Sequence, residues 1–130
     1  MTVHAPRDER GSALAEFALV SVLLVPMFMA VLQLAFVWHV RTTLTSAASQ
    51  GARYAAAYDR GLTDGRRRAE DVIRHALGHA VDARVGATAE SVDGQRVVAV
   101  TVRARVPTIG LWGPSLTLET TGHAVEETLP

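Results

Sequence analysis

The 130-residue sequence predicts an α+β fold: a long N-terminal transmembrane helix continuing into a stalk, then a helix and a small three-stranded antiparallel sheet. Three observations predict it. An uninterrupted apolar run covers residues 17–40. After a Gly- and Asp-rich loop, apolar residues recur at helical spacing over 66–82. Two later stretches, 95–108 and 116–125, alternate at period two and follow an Asp93-Gly94 turn.

The apolar run holds no Asp, Glu, Arg or Lys. Its roughly 24 residues make ~36 Å of helix, enough for a hydrocarbon core of about 30 Å. About 14 of them are Leu, Val or Phe, each favouring insertion by ~0.3 to 0.6 kcal/mol. Pro26 and Gln33 weaken that preference without reversing it. A secretory signal would have a shorter apolar region followed by small residues. Trp38-His39-Val40-Arg41 follows here, which favours a retained span. Pro26 removes a backbone donor and predicts a kink or local loosening, either tolerated or used in assembly. Arg7 and Arg10 precede the span and Arg41 and Arg53 follow it, so charge asymmetry is slight. A short N-terminal tail before a larger C-terminal domain fits an N-in, C-out orientation.

Glu16 stands at the mouth of this run, just after Gly11-Ser12-Ala13-Leu14-Ala15. One explanation is interfacial: an acidic group in a first helical turn interacts favourably with the helix dipole. The other is a partner, such as an amine on a neighbouring subunit, because a carboxylate close to lipid is costly.

Gly11-Ser12-Ala13-Leu14-Ala15-Glu16-Phe17 resembles the processing site of type IV pilin-like precursors. With Ala18-Leu19-Val20 and the mid-span Pro26 it is similar to TadE-like proteins, pilin-like components of the tight-adherence (Flp) pilus machinery. Ala47-Ala48-Ser49-Gln50-Gly51-Ala52-Arg53-Tyr54-Ala55-Ala56 resembles the alanine-rich segment after their span. Ser12 stands where type IV pilins commonly have Phe or Met; a small residue there suits the tight-adherence branch. The resemblance covers about the first half of the chain, and residues after Asp59 add only a compatible shape. It implies a leader of residues 1–11, removed by a prepilin peptidase between Gly11 and Ser12. It further implies that Glu16, followed by Phe17, serves assembly with other pilin-like subunits. Cleavage would free the Ser12 amine, and a Glu16 carboxylate from an adjacent subunit could neutralise it where the dielectric is low. The organisation is then leader 1–11, transmembrane helix 12–40, helical stalk 41–58 and extracytoplasmic domain 59–130.

Along the stalk, Leu44, Ala48, Gly51, Ala55 and Tyr58 recur every three or four residues. This face of mostly small residues suits close packing, against the chain's own domain, another subunit or both. Residues 59–65 read as a loop. The helix over 66–82 presents Ile73, Ala76, Leu77 and Ala80, flanked by Val72 and Val81. Arg66 with Glu70 and Arg67 with Asp71 have pairing spacing. Strands are expected over 84–92, 95–108 and 116–125. In the second, Val98, Val100, Val102, Ala104 and Val106 face the core. In the third, Leu116, Leu118 and Thr120 face oppositely to Thr117, Glu119 and Thr121. Arg103 or Arg105 is expected opposite Glu119, and Trp112 in the core or at its rim. Roughly 70 residues without a disulfide predict modest stability, aided by packing on the stalk.

Composition narrows the function classes. Net charge is zero, so nothing points to nucleic acid. Without cysteine, disulfides, thiolate metal sites and thiol catalysis are excluded. All thirteen basic residues are Arg, a base-composition signature more than a functional one. His75 and His79 have the i,i+4 spacing that can share zinc, but lack the adjacent Glu of a zincin and any further ligand cluster, so a solvated face is expected. Arg66-Arg67-Arg68 also reads as a solvated helix start. There is no phosphate-binding glycine loop, and Gly110-Leu111-Trp112-Gly113 lacks its context. The expectation is a non-enzyme without cofactor or metal, partnered by the bilayer, the peptidase and pilin-like subunits. Competing readings are an uncleaved single-span protein whose outer domain binds a protein partner, and a membrane-anchored hydrolase or metal enzyme using His75 and His79.

Overall fold

The structure, a computed structural model, describes residues 8–108 and 113–127. Most of the expected leader and the expected position of Trp112 lie outside the described residues. The elements are α1 (Asp8–Ala56), α2 (Leu62–Leu77), β1 (Asp82–Val92), β2 (Gln95–Val106) and β3 (Leu116–Val125). The chain divides into two units, Met1–Ala35 and Phe36–Pro130.

The first unit contains the N-terminal part of α1. Leu, Ala, Val and Met form helix readily once an apolar surrounding removes competition from water. Its large side chains, including Leu14, Phe17, Leu23 and Phe28, are exposed. Helix continues through Pro26. Ser21 returns its hydroxyl to the Phe17 carbonyl at 2.8 Å, which satisfies a polar group inside an apolar stretch. Among the described residues, α1 is the one helix long and apolar enough to cross a membrane. It is consistent with a single-pass membrane protein.

The second unit packs the rest of α1 and all of α2 on one face of the sheet. The strands follow the order β1-β2-β3, both pairs antiparallel. The β1–β2 hairpin turns at Asp93 and Gly94, whose φ values of 52° and 79° give the doubly left-handed turn that matches strand twist. Val98, Val100, Val102, Ala104 and Val106 are all buried, as the alternation requires. Arg103 meets Glu119 in register, with guanidinium donors at 2.9 and 2.6 Å from the same carboxylate oxygen. β1 begins at Asp82 and β2 ends at Val106, two residues away from their expected bounds in each case.

The small-residue face of α1 packs within the chain. Val40, Leu44, Ala47, Ala48, Ala52, Ala55 and Ala56 supply nearly half of the buried core. Tyr58 departs from that face: α1 stops at Ala56, and Tyr58 is exposed. The turn that follows is held by Arg60, which stacks on Tyr54 with its guanidinium carbon 4.5 Å from the ring centroid and donates to the Tyr54 hydroxyl.

α2 differs in register from the sequence expectation. It starts at Leu62 because Asp64 folds back to accept from the Gly61 N–H at 3.1 Å, closing the first turn. Its buried face is Gly65, Ala69, Ile73 and Leu77. Ala76 and Ala80 are exposed, contrary to expectation. Gly78, at φ 56°, ends the helix with its N–H on the Arg74 carbonyl. Arg66 pairs with Glu70 at 3.7 Å, whereas Asp71 takes Arg74 at 3.3 Å in place of Arg67.

Three glycines permit the layers to meet. A Cβ on Gly65 would lie 2.4 Å from the Ala55 Cβ and 2.5 Å from the Gly51 carbonyl oxygen. A Cβ on Gly51 would lie 2.7 Å from the Gly65 oxygen, and one on Gly122 would lie 2.6 Å from the backbone of Ala48 and Ser49. α1 thus touches α2 and β3 backbone to backbone.

Candidate functional site

The expected processing and assembly residues fall in the first turns of α1. Gly11 and Ser12 lie inside the helix, as its fourth and fifth residues counted from Asp8. A Cβ at Gly11 would meet nothing within 4 Å, so neither packing nor backbone conformation demands glycine there. The residue is free to serve recognition from outside the chain. Gly also lowers helix stability by about 1 kcal/mol relative to Ala. Helix near its N-terminus has few intrahelical bonds to break. Both effects ease local unwinding around the Gly11–Ser12 bond.

Helical spacing brings Ser12 and Glu16 together. The Ser12 hydroxyl donates to Glu16 Oε1 at 3.3 Å, in an exposed position. That bond is long and its donor carries no charge, so it does not neutralise the carboxylate. Among the described residues no cation pairs with Glu16: the ion pairs are Arg66–Glu70, Arg74–Asp71, Arg96–Glu126 and Arg103–Glu119. Phe17, next along the helix, turns its ring outward and is 71% exposed. The arrangement is a carboxylate and an adjacent aromatic ring presented to the surroundings, with no cation paired to the carboxylate among the described residues.

The histidine pair is separated by the fold. His75 lies in α2 and its Nδ1 sits 2.8 Å from the Asp71 carbonyl oxygen. His79 follows the Gly78 cap and is outside the helix. The spacing that suggested a shared ion therefore does not occur on one helical face. Among the described residues no group of three or more His, Asp or Glu is placed to hold a metal.

A second exposed feature was not singled out from sequence. Trp38, Arg41, Thr42 and Thr45 line a groove along α1. Thr42 donates to the carbonyls of Trp38 at 3.1 Å and His39 at 2.9 Å, while Trp38 is 66% exposed. A Trp followed three residues later by Arg, at the end of an apolar run, is the signal that would have found it.

Residues 11–53 match the family model described as TadE-like protein. The match begins at Gly11 and ends within the alanine-rich part of α1. No curated protein and no solved structure matches the chain.

Proposed function

We propose that this chain, TadE-like over residues 11–53, is a minor pilin or pseudopilin processed by a prepilin peptidase and used to assemble a tight-adherence (Flp-type) pilus or a related secretion apparatus. The match to that family suggests a minor pilin related to the Tad pilus, with pilin-like partners in that machinery. The finer reading assigns the Gly11–Ser12 bond to the peptidase and Glu16 with Phe17 to the neighbouring subunit. The observation that carries it is where the match begins: at the residue after which cleavage would fall.

The chemistry follows from the uncompensated carboxylate. Cleavage converts the Ser12 amide nitrogen into an amine that is protonated at neutral pH. In a low-dielectric layer, an amine and a carboxylate from adjacent copies attract strongly, and either one alone is costly. Glu16 would thus penalise misplaced subunits and favour those in register. The reading takes the N-terminus as cytoplasmic and the domain as extracytoplasmic, and it gives the chain an assembly role with no catalytic step.

The test is co-expression with a cognate prepilin peptidase, followed by intact mass and N-terminal sequencing. A mature chain beginning at Ser12, abolished by Gly11→Val, supports the reading. Retention of residues 1–11 with an active peptidase present counts against it and favours an uncleaved single-span protein whose outer domain binds a partner.

A further inference from the structure

The apolar run ends at Val40, but the domain's core begins before it. Val40 is fully buried, and Phe36 and Val37 pack against the core cluster. Val40 is covered by protein and Phe36 and Val37 are partly covered, so this turn of the helix already belongs to the domain. That leaves residues 17–35 for the hydrocarbon, roughly 19 residues or ~28 Å of helix, close to the ~30 Å of a bilayer core.

The sheet reaches the same level. The hydroxyls of Thr45 and Thr120 lie 3.3 Å apart, Gly122 abuts the backbone of Ala48, and the Glu127 N–H donates to the Ala56 carbonyl at 3.0 Å. β3 therefore runs alongside α1 in the same direction. Thr117 precedes Thr120 by ~10 Å of strand, or roughly seven residues of helix, which is the level of Trp38. In the same row, Arg105 faces Thr117 on one side and Asp82 on the other. Leu116, paired with Val106, is 44% exposed although it belongs to the inward-facing set of β3. One end of the domain thus collects an exposed indole, two exposed guanidiniums (Arg41 and Arg105) and an exposed Leu. Indole rings sit at the headgroup level of membranes, and Arg reaches phosphate while its stem lies on apolar surface.

We propose that this rim, built from Trp38, Arg41, Arg105 and Leu116, rests in the lipid headgroup layer, with Arg41 and Arg105 on phosphates. No spacer then separates the domain from the bilayer. The inference rests on α1 as the membrane span. Its occupant is the headgroup layer because the rim lies at the end of the domain where the chain passes into the apolar segment.

The chain contains no cysteine, so single substitutions accept nitroxide labels cleanly. The full chain, reconstituted in vesicles of phosphatidylcholine and phosphatidylglycerol, is labelled in turn at Phe28→Cys, Asp82→Cys, Thr117→Cys and Ser91→Cys. Collision with oxygen against a water-borne nickel chelate reads the depth of each. The expected result is hydrocarbon depth at 28, headgroup depth at 82 and 117, and bulk water at 91. Labels at 82 and 117 as open to the chelate as that at 91, with 28 still in hydrocarbon, overturn the rim placement alone. A label at 28 that reads water overturns the span and the rim together.

Discussion

The two parts of α1 make the same secondary structure for different reasons. From Leu14 to Leu34 its large apolar side chains are exposed, and none of the helix's buried residues occurs there. From Val40 to Ala56 the buried residues are small, mostly Ala, and they meet protein on two sides. Large side chains suit a fluid solvent that needs no shape matching. Small ones suit backbone contact with α2 and β3. Apolar character alone does not say what a helix face is for; side-chain size does.

The largest expected effect is on the backbone contact. Gly65→Val places its side chain where the Gly51 carbonyl and Ala55 already stand. It should destabilise the domain by about 3 kcal/mol or more, read as a lowered Tm of the full chain in detergent. Next comes a matched pair of truncations within one helix. Leu44→Ala, in the core, should cost about 2–5 kcal/mol in the same measurement. Leu23→Ala, on the exposed part, should leave the domain's unfolding unchanged. Equal losses from the two would end the distinction between the parts. The smallest effect is expected at the surface: Glu119→Gln should cost under ~1 kcal/mol, and less as salt is raised, because Arg103 and Glu119 are both largely exposed.

The strands were legible because their signal is local. Val100 to Val106 alternate without a break, and Asp93-Gly94 is a turn that few other pairs make. α2 was legible as a helix but not in register. Gly65 in sequence is a loop residue, and only its contact with Gly51 on another helix explains it inside α2. Where the exposed part of α1 gives way to the part packed on protein was not legible, since Phe36, Val37 and Val40 suit either surrounding. At the candidate site, Gly11, Ser12, Glu16 and Phe17 carry a motif that is readable from sequence. One chain displays the carboxylate but not the amine that the proposal assigns to its neighbour, so what geometry adds is that no cation among the described residues pairs with Glu16.

The parallel course of α1 and β3 also has a mechanical side. Thr45 with Thr120, Ala48 with Gly122 and Ala56 with Glu127 are spaced along both elements. A pull on α1 along its axis loads these ties together, in shear, instead of opening them one at a time like a zipper. Force entering the domain through the packed part of α1, from Val40 to Ala56, is therefore shared across the sheet.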